Sequence, residues 1–120
     1  MNKKTLVLGA SLKPDRYSNF IIQKLVNKNH EVVAFGLKEG EAFGVSITNK
    51  LITYKDLHTV TLYIKPEHLK QYFDYIVSLN PERIIFNPGT ENPEFYNILK
   101  LNNIEFETAC TLVLLSTNQY

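Results

Sequence analysis

Short apolar runs alternate along this chain with segments in which apolar residues recur at helical spacing. The first run, Thr5–Leu8, stops at Gly9, a pattern typical of a strand that is buried on both faces. Similar runs predict strands at residues 31–35, 60–64, 83–86 and 105–107, with a further short strand at residues 45–47.

Three segments between these runs have the period of amphipathic helices. The first covers residues 18–29. The second covers residues 66–77 and opens with proline, which a first helical position tolerates. The third covers residues 92–103, with an asparagine cap and proline at its start. The pattern is weakest at residues 48–58, where we predict a loop with one helical turn at residues 54–57.

Strands that are joined by single helices pair in parallel, through right-handed crossovers. The predicted fold is therefore an α/β, three-layer, doubly wound (Rossmann-like), mainly parallel sheet of about five strands. Its 120 residues fit one domain, residues 1–120. In such sheets ligands bind beyond the carboxyl ends of the strands, where the strand order switches.

Most phenylalanines and tyrosines fall at core positions, and Tyr17 is expected to pack beneath the first helix rather than stack on a base.

Composition excludes several classes of function. The formal net charge of +1 provides no general attraction for nucleic acid. No apolar stretch approaches the roughly 20 residues of a membrane span. The apolar run after Lys3 and Lys4 is at the short limit for a secretory signal, so a buried strand is the better interpretation. Cys110 is the one cysteine, which suits a reducing compartment. We expect a cytoplasmic protein that does not bind membranes.

Cationic side chains follow three of the predicted strands. Lys13 and Arg16 come after the first strand, Lys38 after the second and Lys65 after the central one. Because parallel strands end at the same edge, these four side chains should converge there. Such convergence in a nearly neutral chain suggests a polyanionic ligand.

The loop after the first strand has features of a phosphate site. Gly9 permits a tight turn, Ser11 offers a hydroxyl group, and the next helix directs free N–H groups toward the loop. Serine replaces the second glycine of the dinucleotide fingerprint, however, so an ordinary strand-to-helix turn is the alternative. No acidic residue ends the second strand to hold a ribose diol, which disfavours NAD. Lys38 suits a phosphorylated ribose, which leaves NADP and coenzyme A (CoA).

Three short motifs together resemble the small stand-alone CoA-binding proteins, which are similar to the N-terminal domain of the succinyl-CoA synthetase alpha subunit. The motifs are Gly9-Ala10-Ser11 with Lys13 and Arg16, then Asn87-Pro88-Gly89-Thr90-Glu91, and then Ala109-Cys110-Thr111. The resemblance extends over essentially the whole chain in the same order of elements. One departure is the end of the second strand, which reads Phe35-Gly36-Leu37-Lys38 where many relatives have a Val-Asn-Pro-like sequence.

The resemblance implies a ligand that lies across the carboxyl edge of the sheet. The phosphate loop would contain Gly9, Ala10, Ser11, Lys13, Arg16 and Ser18. The ribose phosphate would lie beside Leu37 and Lys38, and the adenine beside Ile64, Lys65 and Pro66. The pantetheine arm would face Asn87, Pro88 and Gly89.

Cys110 follows the last strand, so the fold should place it near the same edge. A thiol there could form a mixed disulfide with CoA or accept an acyl group, and the alternative is a small residue that only packs. His30 and His58 should lie at the opposite edge, and His68 should be a surface residue. We expect neither a catalytic residue nor a metal site.

The function predicted from the sequence is a module that binds CoA or an acyl-CoA without catalysis of its own. The synthetases need a phosphohistidine from another domain, and the chain does not contain that domain. The alternatives are an NADP-type oxidoreductase or redox sensor, and a scaffold or regulatory subunit whose nucleotide site is vestigial. An unidentified protein partner is possible.

Overall fold

Seven strands form one sheet in this computed structural model, which describes residues 2–120. The strands are β1 (Thr5–Leu8), β2 (Val32–Phe35), β3 (Gly40–Ala42), β4 (Val45–Thr48), β5 (Thr59–Leu62), β6 (Arg83–Phe86) and β7 (Glu105–Thr108). Their order across the sheet is β3-β4-β2-β1-β5-β6-β7, and every neighbouring pair except β3 and β4 is parallel. The mainly parallel α/β fold is confirmed, whereas the expected number of about five strands is wrong.

The strand β3 was missed because it is only three residues long and forms an antiparallel hairpin with β4. The hairpin turn consists of Phe43 and Gly44, and both have positive φ angles, 53° and 80°. Positive φ at both central residues matches the right-handed twist of a two-residue hairpin. A glycine-containing segment of this length carries no alternation of apolar and polar residues that could identify a strand.

The helices agree with the sequence pattern in position but differ in detail. They are α1 (Tyr17–Asn27), α2 (Pro66–Leu69), a 3₁₀ turn (Lys70–Tyr72), α3 (Phe73–Leu79), α4 (Pro93–Leu101) and α5 (Thr111–Ser116). The second predicted helix is thus divided into three pieces. The helix α5 was not predicted, because six residues are too few to establish a helical period. The predicted helical turn at residues 54–57 is wrong, since Asp56 has a left-handed φ of 59°.

Helices cover both faces of the sheet. Alternate residues of β1 point to opposite faces, so Leu6 and Leu8 join one buried cluster and Val7 joins the other. The first cluster packs against α2, α3 and α4, through residues such as Phe73 and Phe95. The second packs against α1 and α5. All residues of β1 and β5 are buried, as expected for central strands that are covered twice.

The strand order reverses at β1, because β2 lies on one side of it and β5 on the other. The pairing register aligns the last residues of the parallel strands in one row, which consists of Thr48, Phe35, Leu8, Leu62, Phe86 and Thr108. The loops that follow these residues therefore begin at the same edge. Within residues 2–120, no helix is long and apolar enough to cross a membrane.

Candidate functional site

The four predicted cationic residues all lie in loops at the carboxyl edge. Lys38, the pair Lys13 and Arg16, and Lys65 follow β2, β1 and β5, which are adjacent strands. Three adjacent strand ends span about 10 Å. All four side chains are exposed, and none makes an ion pair with another residue in the range 2–120. Their charges are therefore free to attract an anionic ligand.

Gly9 makes the turn that starts the phosphate loop, residues 9–18, which is named for its predicted ligand. Its φ angle is +100°, in the region that favours glycine, and a Cβ atom there would lie 2.7 Å from the carbonyl oxygen of Tyr63. The N–H groups of Gly9 and Ala10 both donate to the Phe35 carbonyl oxygen, at 2.9 and 2.8 Å. This turn therefore fixes the loop between the ends of β2 and β5.

Gly36 is a site residue that the sequence analysis missed. A Cβ atom at this position would overlap the carbonyl oxygen of Ala10 in the phosphate loop. The end of β2 and the loop can therefore pack together only because residue 36 has no side chain. The available signal was the unusual Phe35-Gly36 end of β2, which the sequence shows only as a departure from the family pattern.

The amino terminus of α1 faces the loop without a side-chain cap. Arg16 is the N-cap residue, no side chain accepts a hydrogen bond from the first turn, and that turn contains no acidic residue. The free N–H groups and the helix dipole favour an anion at this position. The Ser11 hydroxyl oxygen already accepts a hydrogen bond from the Lys13 N–H, at 3.1 Å, and Ser18 is buried. Ser11 therefore keeps its O–H as a donor.

Asn19 holds the phosphate loop in place through a hydrogen bond, and the sequence analysis missed it as well. Its side chain is buried, and its Nδ2 donates to the Ser11 carbonyl oxygen at 2.9 Å. No sequence pattern pointed to this role, because an asparagine in the first turn of a helix resembles any other polar residue there.

The Asn87 side chain points into the protein and connects β5, β6 and α5. Its Nδ2 donates to the Thr61 hydroxyl at 2.7 Å and to the Leu62 carbonyl oxygen at 2.9 Å. Its Oδ1 accepts a hydrogen bond from the Thr111 N–H at 2.9 Å, and the residue is 3% exposed. The hydroxyl groups of Thr61 and Thr111 are 2.8 Å apart. The amide therefore anchors the start of α5 to the sheet.

The remaining predicted contacts follow β5, β6 and β7, except Leu37, which follows β2. Pro88, Gly89 and Lys65 are exposed, whereas Ile64, Pro66 and Cys110 are half-buried, and Leu37 is 84% exposed. The N–H of Gly89 donates to a carboxylate oxygen of Glu91 at 3.0 Å.

Cys110 is the N-cap residue of α5, where its thiol is free. Near it, burial raises the pKa of the Tyr63 phenol, which therefore stays neutral.

The histidines lie where the sequence predicted them. His30 and His58 are at the amino edge, and burial lowers the pKa of both imidazoles. The Nδ1 of His30 accepts a hydrogen bond from the backbone N–H of Lys3 at 2.9 Å. His68 is exposed in α2. Tyr17, by contrast, was expected to pack beneath α1 and is 73% exposed.

The surface formed by residues 2–120 includes two depressions near the ends of the sheet. The larger, about 460 Å³, lies at the amino edge between residues 53–57 and residues 78–82. The smaller, about 250 Å³, lies at the carboxyl edge, between the start of α1 and Leu112 of α5. Of these two, the smaller depression adjoins the phosphate loop.

These features define a class of protein: a mainly parallel, Rossmann-like α/β sheet with a glycine turn and an uncapped helix at its switch point. The particular family follows from a comparison with family models. Residues 3–116 match the model of the CoA binding domain, and the chain belongs to that family.

Solved structures of similar chains agree with the fold. A crystal structure of an uncharacterized protein is 43% identical to this chain, with a TM-score of 0.97 and coverage of 100% of this chain and 99% of that one. A conserved hypothetical protein from Pyrococcus furiosus is 25% identical, with a TM-score of 0.83 and coverage of 92% and 97%. A Thermus thermophilus protein, cell-free ID.343, is 21% identical, with a TM-score of 0.87 and coverage of 99% and 91%. No curated protein matches this chain significantly.

Proposed function

We propose that this chain binds coenzyme A, free or as an acyl thioester, at the carboxyl edge of its sheet. The observation that carries the proposal is the match to the CoA binding domain, which extends over residues 3–116 and so includes every loop of that edge. The proposal takes residues 1–120 as one binding domain, without a catalytic step of its own.

The charges of coenzyme A suit this edge. The molecule carries a diphosphate and a ribose 3′-phosphate, which need cationic groups and N–H donors. The uncapped start of α1 offers N–H groups to the diphosphate, with Lys13 and Arg16 beside it. Lys38 then meets the 3′-phosphate from the end of β2.

The other parts of the ligand are assigned along the same edge. Adenine lies against Ile64, Lys65 and Pro66, and Leu37 flanks the ribose. The backbone of the phosphate loop, at Gly9, Ala10 and Ser11, approaches the diphosphate, and Ser18 supports the start of α1. The pantetheine arm passes Pro88 and Gly89 toward Cys110.

Asn87 has a different role in this proposal from the one expected from the sequence. All of the hydrogen bonds that its side chain makes are internal, to Thr61, Leu62 and Thr111. We therefore assign it as a positioning residue, which holds α5 and Cys110 at the edge, and leave contact with the pantetheine arm to Pro88 and Gly89.

Calorimetry with CoA and NADPH tests the proposal. We expect one site per chain for CoA, and affinity for NADPH lower by about tenfold or more, a difference of about 1.4 kcal/mol. The NADPH titration also tests the dinucleotide alternative, because tighter binding of NADPH would replace the proposal. If millimolar CoA gives neither heat nor a thermal shift, the proposal is wrong.

The assignment of Lys38 predicts a specific loss. Lys38→Ala should weaken CoA binding by about tenfold, the effect of one hydrogen bond to a charged group, and should leave the affinity for dephospho-CoA unchanged. Calorimetry on the two proteins with the two ligands measures this coupling directly. Lys100→Ala, which removes an exposed cation from α4, is the matched control. Equal affinities of the unmodified protein for CoA and dephospho-CoA would contradict the assignment.

A further inference from the structure

The smaller depression is an apolar groove between the starts of α1 and α5. Its lining consists of Pro14, Asp15, Arg16, Tyr17, Phe20 and Leu112. Tyr17 is 73% exposed and Phe20 is 39% exposed, so two aromatic rings face solvent beside the phosphate loop. When a ligand covers an apolar surface of this kind, the free energy of binding becomes more favourable.

The volume of the groove limits what it can hold. At about 250 Å³, it is smaller than the roughly 300–1,000 Å³ of pockets that enclose whole small molecules. It can therefore receive one part of a larger ligand. Most of coenzyme A is unsuitable, because the adenine, the phosphates and the pantetheine amides need hydrogen-bond partners when they are buried. Asp15 and Arg16 are the charged residues of the lining, and the rest of it consists of two aromatic rings, a leucine and a proline, so most of the lining surface is apolar.

The position of the groove connects it to the edge where the ligand is proposed to lie. Arg16 belongs both to the groove and to the phosphate loop. Leu112 is two residues beyond Cys110, and α5 is anchored at this edge by the bond from Thr111 to Asn87. A ligand that extends from the phosphate loop to Cys110 would therefore bring its thiol end close to Leu112, on the α5 side of the groove.

We propose that this groove binds the acyl group of an acyl-CoA, and that the acyl group is aliphatic and longer than acetyl. The inference rests on the proposed function, since the CoA part of the ligand would be held by the phosphate loop. An aliphatic acyl chain needs no hydrogen bonds, whereas the adenine, the phosphates and the pantetheine arm all carry polar groups. The ammonium of Lys24 lies 5.1 Å from the centre of the Phe20 ring, and Lys24 is not one of the residues that line the groove.

A chain-length series tests this inference. Calorimetry with CoA and its acetyl, butyryl, hexanoyl and octanoyl thioesters should give affinities that rise with length. Full burial of one methylene group strengthens binding by about fourfold. An open groove covers only about half of the surface of each methylene, so each added methylene should strengthen binding by about twofold. Hexanoyl-CoA should therefore bind about 15-fold more tightly than acetyl-CoA.

Variants locate the effect. In Phe20→Ala the ratio of hexanoyl-CoA to acetyl-CoA affinity should fall by at least half, whereas Leu101→Ala, which removes an apolar side chain that is 84% exposed on α4, should keep the parent ratio. If CoA binds but affinity does not change with chain length, or if Phe20→Ala keeps the full ratio, the inference is wrong and the proposed function stands. If neither CoA nor any thioester binds, the proposed function fails, and the inference fails with it.

Discussion

Gly36→Ala should unfold at a temperature roughly 10 °C lower than the parent protein, a loss of about 3 kcal/mol in the free energy of unfolding. The added Cβ atom overlaps the carbonyl oxygen of Ala10, which is backbone and cannot rotate away. The phosphate loop must therefore move or the end of β2 must shift. Displacement of this loop should also weaken CoA binding by about tenfold or more, because a shift of 1 Å is enough to lose aligned contacts. Thermal unfolding and calorimetry measure the two effects.

Gly44→Ala is the matched control for this variant. Gly44 has a φ angle of +80° in the β3–β4 turn, and a Cβ atom there would meet no atom within 4 Å. The control therefore measures the general effect of replacing a glycine, including strain of about 1 kcal/mol from the left-handed backbone. It introduces no overlap between the new Cβ atom and other atoms. CoA affinity should be unchanged. A Gly36→Ala protein as stable as the Gly44→Ala protein would contradict the close packing of β2 against the loop.

Asn87→Ala should lower the free energy of unfolding by about 3 kcal/mol, the second large effect that we expect. The substitution leaves the Leu62 carbonyl and the Thr111 N–H without their partner in a buried position, and each unsatisfied group costs about 1–3 kcal/mol. Denaturant titration measures the loss. Faster hydrogen exchange at the α5 amides should accompany it, since the start of this helix loses its anchor.

Asn97→Ala serves as the control, because it removes the same side chain from an exposed position of α4. Its free energy of unfolding should stay within about 0.5 kcal/mol of the parent value. A cost below about 1 kcal/mol for Asn87→Ala would show that water or a shifted side chain replaces the amide, and the positioning role would be wrong.

The sequence predicted those parts of the fold in which a single physical requirement determines the residue pattern. The strands β1 and β5 are covered on both faces, so each is an uninterrupted buried run that can be recognised without knowledge of its neighbours. The strand β3 could not be recognised in this way. It is a strand only because β4 pairs with it, and the local residue composition of a segment does not show which other segment it pairs with.

In the candidate site, too, some residues could be predicted from the local pattern and others depend on contacts with distant parts of the chain. Lys13, Arg16, Lys38 and Lys65 could be assigned to one edge because parallel strands end together, and the register places them there. The roles of Gly36 and Asn19 depend on which backbone atoms approach them from another part of the chain. The inward orientation of Asn87 likewise depends on where α5 begins, and α5 is too short to be predicted.

An NMR titration of the ¹⁵N-labelled protein with CoA tests the central claim most directly. We expect the largest amide shifts at residues 9–18, at Leu37 and Lys38, and at residues 64–66 and 88–89, all at the carboxyl edge. The depression at the amino edge, lined by residues 53–57 and 78–82, should not respond. Shifts confined to that depression, or no shifts at millimolar CoA, would contradict the proposal that the carboxyl edge of this sheet binds coenzyme A.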